Sequence, residues 1–168
     1  MVALTIRGNP FHIKHDPIKI GDILNFTARD KDMKLVDLSQ FTNKLKIITS
    51  VPSIDTKTCS LQTIEFNNEA AKLKDLVIIT ISKDLPFAQT RFCEKLKLNH
   101  NFYLWSDYSC DKTNFSNQTK LLIDETQLLA RSVIILDANN KVLYLQIVKE
   151  VTSQPDYEAI LTFLKSLK

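Results

Sequence analysis

Glycine is almost absent from this chain: Gly8 and Gly21 are the only two in 168 residues. A phosphate-cradling loop needs several glycines close together, so a nucleotide site of that kind is excluded. No apolar run approaches the length of a bilayer-spanning helix, and the opening MVALTIR lacks the charged start and long apolar core of a secretory signal. The three cysteines, Cys59, Cys93 and Cys110, include no Cys-x-x-Cys pair, and their odd number argues against a permanent disulfide scaffold. Charge of one sign is not concentrated either. Scattered among 19 acidic residues, the 22 basic ones leave a net charge of +3 and no stripe for nucleic acid. Repeats and low-complexity tracts are missing. These absences point to a cytoplasmic protein without nucleic-acid or membrane partners, whose thiols stay reduced unless they cycle.

What is present suits an ordinary soluble fold. Hydrophobic residues make up 44% and charged residues 24% of the chain, and 168 residues bury a core as one domain spanning 1–168. Leu4–Arg7 and Phe11–Lys14 flank Gly8-Asn9-Pro10 and read as an N-terminal β-hairpin. Ile23–Ala28 alternates as a strand does, followed by a polar turn from Arg29 to Asp32. Leu35, Val36, Leu38 and Phe41 cap the approach to the β-branched run Leu45–Ser50. Leu76–Ile81 is continuously apolar, as a central strand covered on both faces should be. Between these two runs, Leu61, Ile64, Phe66, Ala70, Ala71 and Leu73 predict a helix from about Cys59 to Lys74 and hence a parallel βαβ unit.

A second helix follows, with Asp84 as N-cap, Pro86 in the first turn and Leu85, Ala88, Phe92 and Leu96 as its buried stripe. Phe102–Trp105 reads as a short core strand, and 106–125 as a polar loop with one short helix. Ser132–Leu136 and Val142–Val148 form a hairpin about Asp137–Asn140. A last helix begins near Pro155 and turns Tyr157, Ile160, Leu161 and Leu164 inward. The order βαβ…ββα predicts an α/β, thioredoxin-like fold, a mixed central sheet with helices on both faces and an N-terminal hairpin.

Chemistry concentrates in Val51-Pro52-Ser53-Ile54-Asp55-Thr56-Lys57-Thr58-Cys59. A cysteine in the first turn of a helix meets free backbone N–H groups and the positive end of the helix dipole, which favour a thiolate. Taken alone, an inert buried thiol explains Cys59 equally well. Thr56 is a helix cap as readily as a hydroxyl aimed at the sulfur, and Cys93 packs as readily in a core beside Phe92. His12 and His15, three apart on a strand, point to opposite faces and make no metal pair. No cofactor and no metal are expected.

Pro52-x-x-x-Thr56-x-x-Cys59 resembles the active-site signature of the peroxiredoxins. Val51–Thr56 and Asp84–Cys93 (DLPFAQTRFC) are similar to the bacterial thiol peroxidase branch, as are Leu129–Ser132, Gly8–Pro10 and the run Glu150–Glu158. The segment from Tyr108 to Thr126 departs from it, lacking the usual Tyr-Gly element and carrying Cys110. The resemblance implies the atypical two-cysteine reaction on hydrogen peroxide and organic hydroperoxides. Cys59 would be the peroxidatic thiol, oxidised to a sulfenic acid, and Cys93 the resolving thiol that closes an intrachain disulfide. Thr56 and Arg131 would serve the sulfur and the peroxide, Pro52 would shield the thiolate, and Cys110 would take no part. Thioredoxin or a similar dithiol reductant and a homodimer are the implied partners. A peroxide sensor or relay that passes its oxidation to another protein is the alternative, and an inert thioredoxin-like binding module a third.

Overall fold

The computed structural model describes residues 1–168. In chain order the elements begin with β1 (Val2–Ile6), β2 (Asn9–Ile13), β3 (Thr27–Arg29), β4 (Leu35–Asp37), a 3₁₀ turn at Leu38–Phe41 and β5 (Leu45–Ser50). Then come α1 (Lys57–Lys72), β6 (Leu76–Ser82), α2 (Pro86–Cys93), β7 (Phe102–Ser106) and α3 (Phe115–Thr119). The chain closes with β8 (Ser132–Leu136), β9 (Val142–Ile147) and α4 (Tyr157–Ser166).

The β-branched runs build the centre. Seven strands form one mixed sheet in the order β4-β3-β7-β6-β5-β8-β9, and all seven residues of β6 are buried in its middle. β6 runs parallel to β5 and β7, whereas β8 runs antiparallel to β5 and β9. The period-2 alternation of these strands divides two apolar layers. On one face Ile47, Ile78, Val133 and Ile135 pack with Phe66 and Ala70 of α1 and Ile160 and Leu164 of α4. On the other, Ile48, Ile79, Ile81 and Ile134 meet Leu4 and Ile13 of the hairpin, Phe115 of α3 and the loop residues Leu24 and Leu121. The thioredoxin-like arrangement of a mixed sheet with helices on both faces is therefore present, with β1 and β2 paired antiparallel beside it.

Several boundaries differ from expectation. Leu24 and Phe26 are buried, but the 23–26 stretch is irregular and only Thr27–Arg29 forms a strand. Its alternation reflects loop side chains packed on the sheet: Phe26 stands edge-on to Phe115 at 5.1 Å and to Trp105 at 6.4 Å. Leu35–Asp37 goes beyond capping and pairs with β3. In α1 the inner face is Cys59, Gln62, Thr63, Phe66, Asn67 and Ala70, while Leu61 and Ala71 lie outside. Asp84 is not the N-cap of α2: Leu85 holds that position without a side-chain bond, and Pro86 and Gln89 face inward while Leu85 stays exposed.

The 106–126 segment is ordered by polar groups where glycines are lacking. Asp107 is buried, accepts the Phe115 and Ser116 amides at 2.7 and 3.2 Å, and pairs with Lys83 Nζ at 3.2 Å. Asn114 caps α3, and Lys120 closes it in the left-handed region.

Candidate active site

β5 delivers the chain to the site and α1 receives it. Val51 N donates to Ile81 O at 3.0 Å, extending the sheet by one residue, and Pro52 is buried where the backbone leaves it. Asp84 reaches back from the start of α2 to bind this loop. Its carboxylate accepts Ile54 N at 2.8 Å and the Ser53 hydroxyl at 3.1 Å, which is why it caps no helix of its own. Thr56 caps α1 instead: its Oγ1 accepts Cys59 N at 3.3 Å and donates to Ser53 O at 3.2 Å. Cys59 then falls in the first turn, fully buried, with its carbonyl accepting the Thr63 hydroxyl.

Arg131 arrives from the opposite direction at the start of β8. Ser50 Oγ donates to Ala130 O at 2.7 Å and lies 2.6 Å from Ser132 Oγ, so both neighbours of Arg131 are tied to the strand that leads to Cys59. The guanidinium is 1% exposed, and each of its nitrogens has a partner: Nε donates to Val151 O at 2.8 Å, Nη1 to Gln62 Oε1 at 2.7 Å and Nη2 to Cys59 Sγ at 3.3 Å. None of the ion pairs in the structure includes Arg131. A buried cation without a carboxylate is costly. The guanidinium thus offers Cys59 Sγ a positive hydrogen-bond donor at the N-terminal end of α1. Tyr157 stands near, its hydroxyl pushed up to about 12 by burial and by Glu65, with the charge of Arg131 pulling the other way.

Cys93 ends α2 on a different surface. It is half-buried and lines a cavity of about 530 Å³ with Lys31, Gln89, Tyr103 and Trp105. Burial pushes its thiol up, with the charge of Lys31 opposing. Cys59 and Cys93 are both free thiols, so no bond joins them. Between their helices opens a cleft of about 440 Å³, lined by Thr56, Lys57 and Ser60 on one side and Phe92, Lys95 and Leu96 on the other. Thus Cys59, Thr56 and Arg131 are brought together, Pro52 lies buried in the loop that leads to them, and Cys93 stands apart on the next helix. Cys110 is exposed. No group of three or more His, Cys, Asp or Glu side chains has the geometry to hold a metal ion.

The redoxin family matches residues 19–161. A thiol peroxidase of Staphylococcus aureus (strain MRSA252) is 42% identical over 168 residues, covering 99% of this chain and 100% of its own. The chain is a redoxin of the thiol peroxidase family. A thiol peroxidase of Halalkalibacterium halodurans is 39% identical over 167 residues, 99% of each chain. Among solved structures, a peroxiredoxin-like protein from Aquifex aeolicus shares 31% identity at a TM-score of 0.86, covering 99% of this chain and 97% of its own. A thiol peroxidase from Chromobacterium violaceum shares the fold at a TM-score of 0.87 and 22% identity, over 98% and 95% of the two chains.

In this redoxin, sequence reasoning missed Gln62, Asp84 in its actual role, and the contacts of the strap after β9. Gln62 left one signal, its place three residues after Cys59 on the same helical face. The strap was marked by the resemblance of the run Glu150–Glu158, but its contacts were not. Thr152 O accepts the Thr58 hydroxyl at 3.1 Å, and Gln154 bridges Thr58 O at 3.0 Å to the Tyr157 hydroxyl at 2.5 Å.

Proposed function

We propose that the chain reduces hydroperoxides with Cys59 as the attacking thiolate. The observation that carries this reading is the Arg131 guanidinium, buried without a carboxylate and 3.3 Å from Cys59 Sγ at the first turn of α1. The thiolate attacks the terminal peroxide oxygen, and the S–O bond forms as the O–O bond breaks. The departing hydroxide or alkoxide takes from solvent the proton that Cys59 released on ionising, leaving water or an alcohol and a sulfenic acid. Arg131 Nη2 gives one N–H to Cys59 Sγ, and its second N–H is left to stabilise the oxygen on which charge develops. Thr56 Oγ1, which accepts Cys59 N and donates to Ser53 O, keeps a lone pair for the peroxide O–H, so capping and substrate binding coexist. Buried Pro52 keeps bulk water from the sulfur.

Cys93 thiolate then attacks the sulfenic sulfur and the S–O bond breaks. Hydroxide leaves and takes up the proton Cys93 had released to become water, and an intrachain disulfide closes. Closure is accompanied by local unwinding of one or both helices that carry the thiols, and the eight residues of α2 with no side-chain cap make its own unwinding inexpensive. A dithiol protein such as thioredoxin returns both thiols by exchange. Residues 1–168 act as one domain, in the cytoplasm, where reductant is supplied. A homodimer fits the exposed Leu85 and Phe87 beside the site, 50% and 63% accessible.

The test is direct. After one equivalent of peroxide and digestion without reductant, a peptide joining Cys59 to Cys93 is expected, and Cys59→Ser should consume no peroxide. Turnover by Cys59→Ser would refute the reading, and mixed disulfides with a client outnumbering the internal bridge would make the chain a relay.

A further inference from the structure

The N-terminal hairpin is remote in sequence from every residue placed at the site, yet it is bonded to the strap that holds Arg131. Thr5 N donates to Lys149 O at 2.7 Å and Val151 N donates to Thr5 O at 2.8 Å. Between those two residues lies Glu150, on whose carboxylate five donors converge. Oε2 accepts the Thr5 hydroxyl at 2.7 Å and Gly8 N at 3.2 Å; Oε1 accepts Arg7 N at 3.0 Å, Thr152 N at 3.1 Å and the Thr152 hydroxyl. Arg7 and Gly8 both have positive φ, 51° and 79°. That conformation turns two successive N–H groups toward one point, an anion-binding concavity. The Thr152 and Thr5 hydroxyls chiefly hold the Glu150 carboxyl well below the usual carboxylate range.

The residues after Glu150 touch the site. Val151 O accepts Arg131 Nε at 2.8 Å, and Thr152 O accepts the hydroxyl of Thr58 in the first turn of α1 at 3.1 Å. We propose that Glu150 is a positioning residue for Arg131: clamped between the hairpin turn and Thr152, its carboxylate sets where the Val151 carbonyl stands and so aims the guanidinium at the Cys59 sulfur. A latch that only fastened the hairpin would need no more than the backbone bonds of Thr5. Glu150 adds a bond to the residue on the far side of Val151, fixing that carbonyl from both directions. The proposal rests on the reading that Cys59 attacks peroxide with Arg131 beside it.

Glu150→Gln tests it, because each carboxylate oxygen takes at least two donors and an amide nitrogen in either place would face N–H or O–H groups. Rapid-quench mass spectrometry separates the second-order oxidation of Cys59 from the first-order closure of the disulfide. Oxidation is expected to slow about tenfold while disulfide closure stays within about twofold. In an Arg131→Lys background the same substitution should add less than about twofold, since the guanidinium it aims is gone. An unchanged oxidation rate, equal slowing of both steps, or an undiminished tenfold loss beside Arg131→Lys would each overturn the proposal. If Glu150→Gln does not fold, Thr5→Val removes one donor and carries the same comparison, with about a threefold loss of oxidation expected and no loss overturning. Peroxide consumption by Cys59→Ser would instead remove the underlying reading, so the two failures are distinguishable.

Discussion

At Arg131 the site depends on the shape of a side chain as much as on its charge. The guanidinium reaches a carbonyl, an amide oxygen and a sulfur at once, which a lysine ammonium on its flexible stem cannot reproduce. Arg131→Lys should lower the second-order rate with peroxide by about 30-fold, roughly 2 kcal/mol of barrier, measured by peroxide consumption under limiting enzyme. Gln62→Leu keeps the volume but strips Nη1 of its acceptor. Because Gln62 Nε2 already has no partner, the whole loss falls on the Arg131 side. A stability loss of about 1–3 kcal/mol is expected in urea unfolding, together with slower Cys59 oxidation. Cys93 supplies the pH dependence. Burial raises its thiol, so the closed helix prefers the protonated form. As pH rises through the ordinary thiol range, about 8.5, the open form gains stability relative to the closed one and the attacking thiolate accumulates. Disulfide closure after sulfenic acid formation should therefore accelerate from pH 7 to 9, read by rapid quench.

At the scale of elements, α2 is the weak member and Asp84 its link to the site. By binding Ile54 N and Ser53 Oγ, this carboxylate couples the loop before Cys59 to the helix that carries Cys93. Asp84→Ala should cost about 1–3 kcal/mol in thermal unfolding and speed disulfide closure, because α2 is released from that loop. The strands and the parallel βαβ unit were legible from β-branched runs, since burial on both faces demands them at Leu76–Ser82. The inner face of α1 was not: Gln62, Thr63 and Asn67 point inward while Leu61 is 48% exposed, so apolar spacing misreads the helix where a polar site replaces core. The place of Cys59 in the first turn of a helix was visible from the strand–helix pattern, and its chemical role only through resemblance. Arg131 was visible only through resemblance, because the bond that matters spans 72 positions. Gln62 and Glu150 act through tertiary contacts that no local pattern records.

At the scale of the whole molecule, two carboxylates fasten the N-terminal hairpin to the rest. Glu150 holds its turn, and Glu125 accepts His12 N at 3.0 Å while meeting His12 Nδ1 at 2.8 Å. Both carboxyls lie below their ordinary values, Glu125 through its bonds with His12 and Glu150 chiefly through the Thr152 and Thr5 hydroxyls. Their stabilising contribution is complete above the unfolded glutamate value of about 4.3 and is lost as pH falls through the folded values. Pepsin titrated downward from pH 4 should therefore cut within residues 1–14 before it reaches the central sheet. The chain's single tryptophan adds something of a different kind. Trp105 lies beneath α2, its carbonyl accepting Gln89 Nε2 at 2.9 Å and its ring stacked on Phe41 at 5.8 Å. It also borders the cavity that Cys93 lines. The protein thus carries a native optical reporter: each passage between dithiol and disulfide should change its fluorescence emission, allowing the cycle to be followed in real time without a label.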